Sequence, residues 1–113
     1  MNHEAIVVIR FKDVENDDEI RDTLEKRCHH LAQEFPETRR YELTLTPTAL
    51  EVSAHGHVTG KDIDAAAHAT SNELRQAGER AIDKLERELR RLHDKKIFGR
   101  RREAQRATGK RTS

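Results

Sequence analysis

Two runs of strict alternation, separated by a proline, limit this chain more than any other feature in it. Tyr41, Leu43 and Leu45 alternate with Glu42, Thr44 and Thr46; Leu50, Val52, Ala54, Gly56 and Val58 alternate with Glu51, Ser53, His55, His57 and Thr59. Successive side chains of a strand point to opposite faces. A period of two on both sides of a Pro47-Thr48 turn therefore predicts a hairpin with one buried and one wet face. A one-faced sheet needs a cover for its apolar side, which the rest of the chain must provide.

The flanking segments match that need. Residues 5–11 (AIVVIRF) are a β-branched run ended by charge, which predicts a first strand. At 16–19 the chain reads Asn-Asp-Asp-Glu, N-cap residues followed by acids where the helix dipole favours them. Ile20, Leu24, Cys28, Leu31 and Phe35 then recur at steps of 4, 4, 3 and 4, the single stripe of an amphipathic helix that Pro36 ends. Past the hairpin, Thr59-Gly60-Lys61 predicts a tight turn. Ile63, Ala65, Ala67 and Ala69 follow on the inner face of a strand, opposite Asp62, Asp64 and His68, although an alanine run is also compatible with a helix start. Thr70-Ser71-Asn72-Glu73 fits a capping box with Thr70 as N-cap. The helix after it carries Leu74, Ala77, Gly78, Ala81, Ile82, Leu85, Leu89 and Leu92 as its apolar stripe and is expected to run to about residue 96. Gly78 costs on the order of 1 kcal/mol against alanine in a helix interior; close approach to the sheet would account for it.

The expected fold class is α+β, in the order βαβββα: a four-stranded sheet with two helices packed on one face. Residues 1–98 form the domain, and residues 99–113 are expected to be a disordered basic tail, with one basic residue in every two or three and no apolar period. Only 34% of the 113 residues are apolar and 4% aromatic, so the core is small and aliphatic. There is no apolar run long enough to span a membrane and no visible signal peptide. The single cysteine, Cys28, cannot close an internal disulfide. A reducing, cytoplasmic setting is expected.

Charge separates the two ends. The formal total is +1, which by itself argues against a nucleic-acid protein. Residues 1–83 hold 10 basic and 17 acidic residues, net −7, whereas residues 84–113 hold 12 basic and 4 acidic, net +8. Much of the excess is ordered by the helical period: Arg80, Lys84, Arg87, Arg91 and Lys95 step by 4, 3, 4 and 4 beside the apolar stripe. Asp83 can neutralise Arg87, and Glu86 can neutralise Arg90, but the surplus survives such pairing. A basic stripe leading into an arginine-rich tail points to phosphate. The aromatic platforms that stack single-stranded bases are missing, with only Phe11, Phe35, Tyr41 and Phe98 present. Backbone and shape recognition of folded RNA is therefore expected.

Other constellations are better explained by structure. His55 and His57 share a strand face, but no third ligand at a fixed spacing accompanies them, with His68 on the next strand the one further candidate. No metal or other cofactor is expected. His29 and His30 are adjacent on a helix and diverge by about 100°. Cys28 lies in an apolar stripe, where it packs as a small hydrophobe. Glycine-rich phosphate loops and nucleophile–base pairs are lacking, and Asp62 with Asp64 has no pocket-forming sequence around it. Catalytic residues, a small-molecule substrate and a membrane partner are not expected.

Residues 60–96 (GKDIDAAAHATSNELRQAGERAIDKLERELRRLHDKK) resemble the C-terminal half of the ribosome hibernation-promoting factor and ribosome-associated inhibitor family, also called the sigma-54 modulation or S30EA family. The glycine turn, the alanine-rich strand and the run Ile82-Asp83-Lys84-Leu85-Glu86-Arg87-Glu88-Leu89 with Arg91 and Lys95 carry the likeness. Asp-Glu-Ile-Arg-Asp at 18–22, opening a helix that ends at Phe35, extends it more loosely to about residues 5–96. The resemblance implies a βαβββα fold and a short-form, non-enzymatic translation inhibitor. Such a protein binds small-subunit rRNA in the channel used by mRNA and tRNA, and is monomeric off the ribosome. By position it assigns rRNA contact to Lys84, Arg87 and Arg91 on the second helix and to Arg27, with Lys26 beside it, on the first; Arg80 and Lys95 join them from the charge stripe. The chain departs from the family pattern at 72–78 and at Glu88, where the family has glutamine. The alternative is an interaction module of the same fold whose basic helix docks an acidic protein partner.

Overall fold

The structure is a computed structural model and describes residues 5–95 in full. The elements run β1 (Ile6–Phe11), α1 (Asp18–Glu34), β2 (Thr38–Pro47), β3 (Val52–Gly60), β4 (Ile63–Ser71) and α2 (Leu74–Thr112). The expected tail at 99–113 lies outside the described residues. The sheet order is β1-β2-β3-β4, with β1 parallel to β2 and the other neighbours antiparallel. Both helices cover one face, as the alternation requires: Tyr41, Leu43, Leu45, Ala54, Val58, Ala65 and Ala69 of the sheet are buried with Leu24, Cys28 and Leu31 of α1 and Ala77, Ala81, Ile82, Leu85 and Leu89 of α2.

Local chemistry sets the α1 boundaries. Asp17 is extended and its carboxylate accepts from the Ile20 amide at 3.1 Å, so it is the N-cap; Asp18 and Glu19 follow in the first turn. At the other end the Phe35 amide donates to Leu31 before Pro36. Thr38, buried at the start of β2, donates its hydroxyl to the Phe35 carbonyl at 2.7 Å and lies 3.0 Å from the Tyr41 hydroxyl, so the buried phenol has a partner. The alanine run of 65–69 is a strand, paired along its whole length with β3.

Several boundaries differ from expectation, two through local turn geometry and one because strand pairing outranks a local capping signal. The hairpin turn spans residues 48–51, not Pro47-Thr48 alone. The Thr48 amide and hydroxyl both donate to the Glu51 carbonyl, and the Thr48 hydroxyl accepts from the Glu51 amide. Leu50, expected on the inner face, is in that turn and 91% exposed. Asp62 belongs to the β3–β4 turn, at φ 60°, and not to the outer strand face. Thr70 is not an N-cap: β4 continues to Ser71, which pairs with Val52, and α2 begins at Leu74. The Ser71 hydroxyl instead ties the junction, accepting from the Glu73 amide and donating to Gln76.

Two glycines mark the closest approaches in the core. A Cβ on Gly56 would lie 2.6 Å from Leu85 Cδ1, so it is β3 that lets α2 down onto the sheet. Gly78, expected to serve that contact, faces the other helix: its Cβ would lie 2.7 Å from Leu24 Cδ1 and 2.9 Å from Cδ2. Polar pairs frame this helix–helix seam, Arg27 with Asp83 at 2.5 Å and Arg90 with Glu34 at 2.9 Å.

Burial pushes the Cys28 thiol up to about 12, and burial likewise pushes the Tyr41 phenol up to about 12. Cys28 is thus an inert thiol, as its place in the apolar stripe implies. The folded chain keeps both protons after the unfolded chain has begun to release them. Their contribution is therefore complete below about pH 9 and declines as pH rises from about 9 towards 12, at up to about 1.4 kcal/mol per pH unit for each group. Thermal melts across this range will show stability falling with alkalinity. In Cys28→Ala the fall will start about one pH unit later, when Tyr41 alone responds.

Candidate nucleic-acid interface

The apolar stripe of α2 decides where its cations stand. With Ala81, Leu85 and Leu89 pressed on the sheet, Arg80, Lys84, Arg87, Arg91 and Lys95 are all exposed. They rise beside β4, an edge strand of the sheet. Lys84 Nζ donates to the His68 carbonyl at 2.7 Å, and Arg80 donates to the Thr70 carbonyl at 2.9 Å. These bonds blunt a strand edge that would otherwise invite pairing with another chain. They also fix two cations without neutralising them, because the acceptor is an uncharged carbonyl.

Among the described residues, Arg87 and Lys95 have no hydrogen-bond or ion-pair partner. Arg91 differs. Its guanidinium forms a two-point pair with Glu88 (Nε to Oε2 3.1 Å, the second bond 2.5 Å), which holds the Glu88 carboxyl below its ordinary range and raises Arg91. The ridge therefore presents four uncancelled charges, on Arg80, Lys84, Arg87 and Lys95, with Arg91 engaged by its neighbour.

The first-helix candidates stand apart from this ridge. Arg27 reaches across the seam to Asp83, so its charge is cancelled by α2. Lys26 is exposed, about 200° around α1 from Leu24 and so on the outer side of the helix. Arg90, which widens the stripe in sequence, turns towards α1 and is held by Glu34 and Glu86. Nothing in the local sequence announces the carbonyl anchors of Lys84 and Arg80. The signal that could have found them is topological, since the last strand of a βαβββα sheet is an edge and the helix after it must cross that edge.

Over residues 7–97 the sequence matches the family described as sigma 54 modulation protein / S30EA ribosomal protein. The chain belongs to this family. The family is one of ribosome-associated proteins, which supports a ribosome-associated role for this S30EA protein. No curated protein matches the chain. Among solved structures, a ribosomal subunit interface protein from Coxiella burnetii is similar, with a TM-score of 0.71 and 17% identity, covering 78% of this chain and 97% of that one. The N-terminal domain of Protein Y from Thermus thermophilus is similar at a TM-score of 0.68 and 24% identity, covering 78% and 98%. At these identities the likeness establishes the fold. Among the described residues no helix is long and apolar enough to cross a membrane.

Proposed function

We propose that this S30EA protein binds small-subunit rRNA in the channel used by mRNA and tRNA, through the α2 ridge, and so keeps idle ribosomes out of translation in the cytoplasm. The observation that carries it is the set of four uncancelled cations along one helix edge, two of them anchored on neutral carbonyls. A cation fixed in this way meets a phosphate with full charge and little side-chain ordering left to lose. No catalytic group or cofactor enters this role.

Each phosphate neutralised by the ridge releases counterions, so four contacts give a slope of log K against log salt of roughly −3 to −4. In sedimented cell extract the protein will travel with small subunits or whole ribosomes at low salt and leave them at high salt. Absence from ribosomal fractions of starved cells at any salt would sink the proposal. An acidic protein partner, the other reading of a basic helix, would remain bound after nuclease treatment.

Glu88 gives a finer test. Glu88→Gln removes the carboxylate that occupies Arg91 and adds a fifth free cation to the ridge. Ribosome affinity is expected to rise, by about threefold to tenfold at low salt, with a steeper salt slope. A filter-binding or sedimentation titration that shows equal or weaker binding would mean that Arg91 is not at the interface.

A further inference from the structure

Independently of rRNA binding, we infer that His55 and His68 form a binding site for a divalent transition-metal ion on the open face of the sheet. The two residues are directly opposite in the β3–β4 ladder, and both are exposed on the face that no helix covers. Their ring centroids are 4.6 Å apart, with the planes tilted by 43°. Zinc sits about 2.0–2.1 Å from an imidazole nitrogen and about 3.2 Å from the ring centre. Two rings that meet at one tetrahedral or right-angled ion therefore have centres roughly 4.5–5.2 Å apart. The observed separation falls in this range without any movement of the strands.

The surroundings also suit ligation. Ser53 Oγ lies 2.8 Å from His68 Nε2. In the tautomer where Nε2–H donates to the serine, Nδ1 carries the lone pair and the ring is held in place, the usual arrangement of a ligating histidine and its orienting partner. His57, which the sequence would pair with His55, is drawn off instead: its Nε2 lies 2.7 Å from Asp64 Oδ1. Among the described residues no three His, Cys, Asp or Glu side chains converge on one point. The protein thus supplies two imidazole nitrogens, and water or an outside donor completes the sphere. Two nitrogen ligands suit zinc, copper and nickel and do not suit magnesium or calcium.

Calorimetric titration of the whole protein with Zn2+ tests the site. One ion is expected per chain. His55→Ala and His68→Ala are each expected to weaken binding by more than tenfold, Ser53→Ala by about tenfold, and His57→Ala by less than twofold. All four side chains lie on the open sheet face, so circular dichroism should be unchanged. Absence of zinc binding, or zinc binding that survives His68→Ala, or a loss with His57→Ala as large as with His55→Ala, would overturn the inference.

Discussion

Reversing two charges on α2, Lys84→Glu with Arg87→Glu, is expected to weaken ribosome association by on the order of 100-fold or more while the fold persists. The pair removes two phosphate contacts and puts two carboxylates against a polyanion, where like charges in contact cost several kcal/mol. The folded domain has little to lose. Both residues are exposed and off the apolar stripe. Lys84 gives up one surface hydrogen bond to the His68 carbonyl, at a cost of about 0.5–1.5 kcal/mol, and Arg87 gives up none. Co-sedimentation with small subunits, read beside a thermal melt, separates the two effects. Unchanged binding with an unchanged melt would remove the ridge from the interface even though the chain belongs to the S30EA family. Arg27→Glu should act differently: it places a carboxylate against Asp83, so it strains the helix seam and lowers the melt before it says anything about RNA.

What the sequence made legible is what burial imposes at short range. Alternation at 41–46 and 52–58 and the stripes of both helices follow from one buried face per element, so the order of elements, the helices and nearly all of the core could be read directly, whereas the parallel pairing of β1 with β2 could not. Partners that meet only through the fold could not. Leu50 is a local exception: it has the period of a strand, but hydrogen bonds between Thr48 and Glu51, three residues apart, claim it for the turn. Thr70 and Glu73 have the spacing of a capping box, but pairing of Ser71 with Val52 extends β4 past it.

The site follows the same rule. The spacing of Arg80, Lys84, Arg87, Arg91 and Lys95 placed them on one ridge, a local property of a helix. Which of the candidate cations stay unpaired depends on the distant Asp83 for Arg27 and on Glu88, one turn away, for Arg91. The histidines show the same limit, since spacing pairs His55 with His57 whereas the strand register pairs it with His68.

The largest effect on stability is expected at the seam between the helices, where Leu24 fills the space that Gly78 leaves open. Leu24 is fully buried, and Leu24→Ala should cost about 2–5 kcal/mol, a large part of the 5–15 kcal/mol typical of such a domain. Gly78→Ala gains about 1 kcal/mol of helix propensity but forces a methyl to within 2.7 Å of Leu24 Cδ1 in a packed core, at about 1–3 kcal/mol, for a net loss of up to about 2 kcal/mol. The two changes are not independent. Truncating Leu24 removes the two Cδ atoms that the new methyl would strike, and the methyl then fills part of the cavity. Leu24→Ala with Gly78→Ala should therefore be more stable than the sum of the single losses predicts, by about 1 kcal/mol or more, and more stable than Leu24→Ala alone. Urea denaturation of the four proteins measures this coupling. Additivity within about 0.5 kcal/mol would mean that the helices adjust their separation to admit the added methyl, and that Gly78 does not set the distance between them.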